Sequence, residues 1–138
     1  MARYKCKDLK KGQKVSFKIK LTSKMLDQFT KLSGDKSPLH TSKKFAKKYG
    51  FKNRLIHGML IGSHYSKIIG ILLPGNLSVE AQMNIKFHQP TYENDELSFK
   101  AKIIQLSNPY KICTVEIKTL NQNKKLVSSA ESVVKLVE

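Results

Sequence analysis

The second half of the chain limits the fold more than any other feature of the sequence. In "SVEAQMNIKFHQP", 78–90, Val79, Ala81, Met83, Ile85 and Phe87 occupy alternate positions, and in "DELSFKAKIIQL", 95–106, Leu97, Phe99, Ala101 and Ile103 do the same. A period of two puts successive side chains on opposite faces, so each stretch is expected to be a strand with one apolar side. "KICTVEIKTL" and "KLVSSAESVVKLVE" continue the series to residue 138. The breaks at Asn94-Asp95, Asn108-Pro109 and Asn121-Gln122-Asn123 are turn residues, and connections this short join antiparallel neighbours. A sheet that is apolar on one side needs a cover. "HGMLIGSHYSKIIGILLPG", 57–75, is the most apolar stretch, and its few polar residues mark a buried helix that ends on Pro74-Gly75. A further strand comes first, in "QKVSFKIKLT", 13–22, where Val15, Phe17, Ile19 and Leu21 alternate with Lys and Ser. The expected architecture is α+β, an antiparallel five-stranded sheet wrapped around a long central helix. With 138 residues and no repeat, low-complexity segment or linker, a single domain over residues 1–138 is expected.

Charge narrows the class of partner. Lys and Arg total 26 against 10 acidic residues, a formal charge of +16, and such a surface attracts phosphorylated or acidic partners. It does not make a reader of bases. Arg3 and Arg54 are the only arginines, and lysines are scattered from Lys5 to Lys135, with Lys18 and Lys20 on the polar face of the first strand. Base readout uses bidentate Arg, Asn or Gln on a recognition element, and no helix-turn-helix, zinc finger or RNP motif is present. Nucleic acid is therefore not expected as a partner. No window reaches the ~18 apolar residues of a membrane span. "MARYKCKDLKKGQK" carries charge without an apolar core, so no secretory leader is expected either. Cys6 and Cys113 lack metal-ligand spacing and read as reduced thiols of a cytoplasmic protein.

The residues with chemistry lie between the first strand and the apolar helix. "SKMLDQFTKLSG", 23–34, carries Met25, Leu26, Phe29 and Leu32 at helical spacing, with Thr22 or Ser23 to cap it and Gly34 to end it. "TSKKFAKKYG" reads as a short helix from Thr41 or Ser42 to Gly50. Between them, "LSGDKSPLH", 32–40, sets Asp35 and His40, both able to move a proton, on either side of Pro38. Pro38 has no N–H and biases Ser37 toward extended backbone, so a kinked, non-helical turn is expected here.

"FTKLSGDKSPLHTSKKFA" resembles the hydratase motif of R-specific enoyl-CoA hydratases, the MaoC-like family. That pattern runs aromatic, small spacer, Gly-Asp, any residue, Asn, Pro, aliphatic, His, then a short helix. Phe29, Gly34, Asp35, Pro38, Leu39 and His40 fall in place. "RLIHGMLIGS", 54–63, is similar to the family's entry into its central helix, and "IKFHQPTYENDEL", 85–97, to its later strand and acidic turn. The resemblance covers nearly the whole chain and implies the hotdog fold, a sheet curled around a buried helix. One position departs from the pattern: Ser37 stands where the family has Asn. Either side chain can accept from a nearby backbone N–H and keep the turn, but serine is shorter and lacks the amide's donors.

The resemblance implies a hydro-lyase acting on a trans-2-enoyl thioester, and it implies a role for each residue. The imidazole of His40 suits activation of the water that attacks C3. Asp35 would hold the same water and share its proton. The helix start around Gly58 offers free N–H groups and a positive dipole end to the thioester oxygen. Ser37 and Ser63 are expected to support the site from behind. His57 and His64 read as structural or packing residues, and His88 as surface. No metal and no separate cofactor is expected, because coenzyme A or an acyl carrier enters as part of the substrate. Two other readings stay open: a hotdog protein that binds acyl thioesters without chemistry, and a hotdog thioesterase that would use Asp35 but not His40. The family also implies a homodimer or a dimer of dimers, and in this chain "EAQMNIKF", with Met83, Ile85 and Phe87 facing one side, is expected to be the joining edge.

Overall fold

The alternation of β1 (Lys14–Lys20) is visible in its burial, with Val15, Phe17 and Ile19 turned inward and the lysines outward. The structure, a computed structural model, describes residues 4–75 and 77–138. The first three residues of the N-terminal stretch read for a leader lie outside the described residues. α1 (Ser23–Ser33) begins where Thr22 accepts a hydrogen bond from the Met25 N–H at 3.2 Å. It ends at Gly34, whose φ of 75° is the left-handed conformation that glycine adopts without a side-chain penalty. Leu26 of this helix is buried, while Leu32, at the same spacing, is exposed.

The next segment departs from the expected non-helical turn. Ser37 is extended, as a residue before proline should be, but Pro38 opens a single helical turn, α2 (Pro38–Thr41), which carries His40. The first position of a helix needs no N–H and suits the fixed φ of proline, so Pro38 starts the turn. α3 (Lys43–Lys48) follows at once, its cap Ser42 accepting from the Phe45 N–H at 3.1 Å.

The apolar stretch is a central helix, α4 (Gly58–Lys67), whose last turn widens into a π segment over Ile68–Leu72. There the Leu73 N–H reaches back to the Ile68 carbonyl at 2.8 Å. Leu60, Ile61, Tyr65, Ile68 and Ile69 are buried against the sheet. The sheet comprises β1, β2 (Ser78–Phe87), β3 (Glu96–Ser107), β4 (Ile112–Leu120) and β5 (Leu126–Leu136), in the order β1-β3-β4-β5-β2. Every pairing is antiparallel. β3 and β4 supply the centre of the core through Leu97, Phe99, Ile103, Val115 and Ile117. Tyr65 is wholly buried, and its hydroxyl meets Thr119 Oγ1 at 2.7 Å, so no polar atom of the ring is left unpaired there. The alternation of β2 slips at a bulge between Glu80 and Gln82. That leaves Val79 and Ala81 exposed, although they share spacing with Met83 and Ile85.

Candidate active site

Three pieces of backbone converge at the start of α4. Leu55 N–H bonds the Leu39 carbonyl at 2.9 Å, and Ile56 N–H bonds the Thr91 carbonyl at 2.8 Å. The strand-like run into α4 is thereby pinned between α2 and the β2–β3 loop. A cavity of about 650 Å³ opens where they meet, lined by Phe29, Ile56, Met59, Ile61 and Phe87 and, at its polar end, by Asp35, His40, His57 and Gly58.

The two expected proton carriers face each other. His40 Nε2 lies 3.7 Å from Asp35 Oδ2, and their side chains are 17% and 52% exposed. His40 Nδ1 is 2.7 Å from the Leu55 carbonyl. A carbonyl only accepts, so Nδ1 carries the hydrogen and Nε2 presents its lone pair to the cavity. Asp35 is held through its other oxygen, which accepts the Ser37 N–H at 3.2 Å. Ser37 thus supports the site through its backbone, an interaction that serine and asparagine make equally well. Ser63 is not brought to the site. It is exposed, and its hydroxyl donates to the Leu60 carbonyl at 2.6 Å.

Gly58 is the first residue of α4, where helix geometry leaves the N–H without an intrahelical acceptor. Its lack of a side chain has a specific cause. A Cβ there would come within 2.7 Å of the Phe87 ring. Phe87 and Gly58 pack together as one wall of the cavity.

Three groups that sequence reasoning left outside the site lie in it or directly behind it. His57, the N-cap residue just before α4, stacks on His40 with centroids 3.8 Å apart and planes at 21°. Burial is the main cause that holds its pKa below the ordinary imidazole value, and neighbouring His40 acts in the same direction. The other two are Arg54 and Glu93. Arg54 Nε and Nη2 both donate to Glu93 Oε2, at 3.0 and 2.7 Å, and Nη1 donates to Asp27 at 2.8 Å and to the His40 carbonyl at 3.4 Å. Burial works against the Glu93 carboxylate, but bonds from Arg54 and Ser23 outweigh it and hold the pKa low. This brace ties α1, α2 and the β2–β3 loop together behind His40. Its signal in the sequence is that Arg54 is one of two arginines in a lysine-rich chain, because a planar fork makes a multidentate brace that an ammonium cannot.

Asp35, His40 and His57 bring their ligand atoms within 4.8 Å of one another, the kind of cluster that can hold a metal. The donor set does not fit one. His57 Nε2 lies 3.0 Å from the Asp35 carbonyl, so that nitrogen carries a hydrogen and has no lone pair to give, and the lone pair of the ring is on the buried Nδ1. With Nε2 of His57 committed to the backbone, Asp35 and His40 are the donors left facing the cavity, below the three that a catalytic zinc site requires.

Comparison with known proteins identifies the family and the fold. The profile of the MaoC like domain matches residues 7–124. An (R)-specific enoyl-CoA hydratase of Aeromonas caviae is 30% identical over 93% of this chain and 96% of its own length. A mitochondrial 3-hydroxyacyl-[acyl-carrier-protein] dehydratase of Arabidopsis thaliana is 32% identical over 80% of this chain and 68% of its own. Among solved structures, the A. caviae (R)-hydratase involved in PHA biosynthesis superposes with a TM-score of 0.89 over 93% of this chain and 97% of that one. The unliganded R-hydratase PhaJ1 of Pseudomonas aeruginosa, 27% identical, does so with 0.90 over 96% and 85%. The sheet, the central helix and the match over most of the length together place this chain in the MaoC-like family, with the hotdog fold.

Proposed function

We propose that the chain adds water reversibly across the C2–C3 double bond of a trans-2-enoyl thioester, giving the (R)-3-hydroxyacyl thioester, and runs the dehydration in reverse. The thioester is carried on coenzyme A or on an acyl carrier protein. One observation carries the reading: the free lone pair of His40 Nε2 and Asp35 Oδ2 face one another across 3.7 Å at the polar end of an apolar cavity. That gap is too long for a direct hydrogen bond but suits one water bonded to both.

In the forward direction His40 Nε2 takes a proton from this water while Asp35 orients it through its second O–H. The water oxygen bonds to C3, and the C2–C3 π electrons move to the thioester oxygen, where the Gly58 N–H and the positive end of α4 stabilise the charge. The proton held by the His40–Asp35 pair then passes to C2, the enolate collapses, and the site returns to its starting charge. The step needs proton transfer and charge stabilisation only, so a separate cofactor has no part in it. The relatives named for enoyl-CoA hydration and for 3-hydroxyacyl dehydration support this assignment. We also propose a cytoplasmic homodimer, the dimer being argued from the sheet edges below.

Incubation with crotonyl-CoA is the test. Loss of the enoyl absorbance without thiol release is the expected result. Thiol release would identify a thioesterase, and binding without either change would identify a non-catalytic protein.

A further inference from the structure

We propose that His57 is a positioning residue for the hydration reaction, fixing the plane of His40 and the place of Asp35 so that one water reaches both. The inference rests on the functional reading above and adds a residue to it. His40 has two degrees of freedom that matter, rotation within its ring plane and tilt of that plane. The Nδ1 bond to the Leu55 carbonyl fixes the first. The His57 ring, stacked at 3.8 Å, fixes the second. The same His57 ring holds the backbone of Asp35 through Nε2, at 3.0 Å from its carbonyl. A single buried side chain therefore touches the reacting ring of His40 and the backbone that carries Asp35, and it does so from the capping position of α4, 3% exposed.

The role requires an uncharged imidazole. A charged one would repel His40 as it accepts the proton, and would draw the Asp35 carboxylate, 4.0 Å from Nε2, into an ion pair. The surroundings favour neutrality. His57 Nδ1 is buried and has no hydrogen-bond partner among the described residues, so a proton placed there would be an unpaired buried donor. The positive end of α4 opposes the charge as well. The titratable groups that face the ring are His40, from α2, and Asp35, from the α1–α2 loop. α1 contributes the uncharged Phe29 ring, with centroids 4.9 Å apart.

Two substitutions in the full chain separate this role from mere packing, with crotonyl-CoA as substrate. His57→Phe keeps a ring against His40 and removes the donor to Asp35, whereas His57→Gln keeps a donor and removes the ring. His57→Phe is expected to lower kcat roughly 10- to 100-fold, the size of a small misplacement of reacting groups, with KM changed less than about threefold. His57→Gln should recover part of that loss. A folded His57→Phe enzyme with unchanged kcat overturns the inference. Nitrogen NMR of the imidazoles in the unaltered chain gives a second readout that does not depend on either variant folding. The neutral His57 ring should carry its hydrogen on Nε2 and should gain a second proton only below the ordinary imidazole value of 6.5; a His57 that titrates at or above 6.5, or a hydrogen on Nδ1, overturns the inference. A wild-type chain that does not hydrate crotonyl-CoA overturns the functional reading and this role with it. An active wild type beside an unaffected variant overturns this role alone.

Discussion

The proposed role of His40 as a base rests on the different neighbours of its two nitrogens, a carbonyl at Nδ1 and the open cavity at Nε2. Replacing either member of the pair removes the shared water's partner, so Asp35→Asn and His40→Ala should each lower kcat by about 10²–10⁴-fold. Groups that act on one water fail together, and the double variant should be little worse than the more severe single one. Circular dichroism unchanged from wild type would show that the loss is chemical, while either single variant retaining full kcat would remove the residue from the site. His64 supplies a different prediction. Burial, aided by nearby Lys67, holds its pKa below the ordinary 6.5, and its Nε2 is buried without a partner among the described residues. The unfolded chain takes up a proton at His64 as pH falls through 6.5, while the folded chain resists it. Its contribution to stability is therefore complete above that value and is lost progressively as the solution becomes more acid. His57 acts with the same sign. Melting temperature should fall between about pH 7.5 and about pH 5, and His64→Leu should make that fall shallower; an identical pH dependence in the variant would exclude His64 as a source. At this scale Asp35 and His40 are legible in the sequence because six adjacent residues hold both. His57 is not, because its work depends on a ring stack with a residue seventeen positions away, and spacing carries no record of that.

At the scale of elements, the strands and their order of appearance follow from period-two alternation and turn residues, and the caps from Thr22, Ser42 and Gly34. What the sequence reading misses has local physical causes. Pro38 reads as a breaker, yet a proline at the first helical position begins a turn and turns His40 toward Leu55. The bulge in β2 lets one face of the alternation slip, because Glu80 turns to Ser132 on the adjacent strand. Why residue 58 is a glycine is not legible either, because the space a Cβ would take there belongs to Phe87. The last point can be tested. Gly58→Ala should push the half-exposed Phe87 ring aside and destabilise the fold by about 1 kcal/mol, the cost of an off-rotamer ring. Phe87 is 52% exposed, so its truncation alone should cost little. Combining Gly58→Ala with Phe87→Ala should then give a protein more stable than Gly58→Ala alone, as groups in contact are not additive. If denaturant titration finds the two costs simply summed, the contact is not what requires glycine.

At the scale of the molecule, the open sheet has two edges and treats them differently. β1 lines one edge with Lys14, Lys18 and Lys20, all exposed, and lysines along an edge discourage pairing with another strand. β2 forms the other edge, and its exposed residues include Val79, Ala81 and Phe87. Met59 of α4, 60% exposed, lies beside it, since both Met59 and Ile85 approach the Cβ position of Gly62. The apolar rim therefore joins the unpaired strand to the mouth of the cavity. A second copy of the chain, turned about a two-fold axis, would pair β2 with β2 antiparallel and cover that rim on both chains at once. Such a contact is self-complementary and closed, so assembly stops at two chains or at a pair of dimers. Burying the rim also offsets the small core available to a domain of this size. Light scattering at micromolar concentration should give at least twice the chain mass of 15.7 kDa. Val79→Lys combined with Ala81→Lys should shift the protein toward the monomer and lower its melting temperature, because it places on β2 the charges that already guard β1. A wild-type mass of 15.7 kDa would leave β2 a free edge and assign the whole cavity wall to one chain.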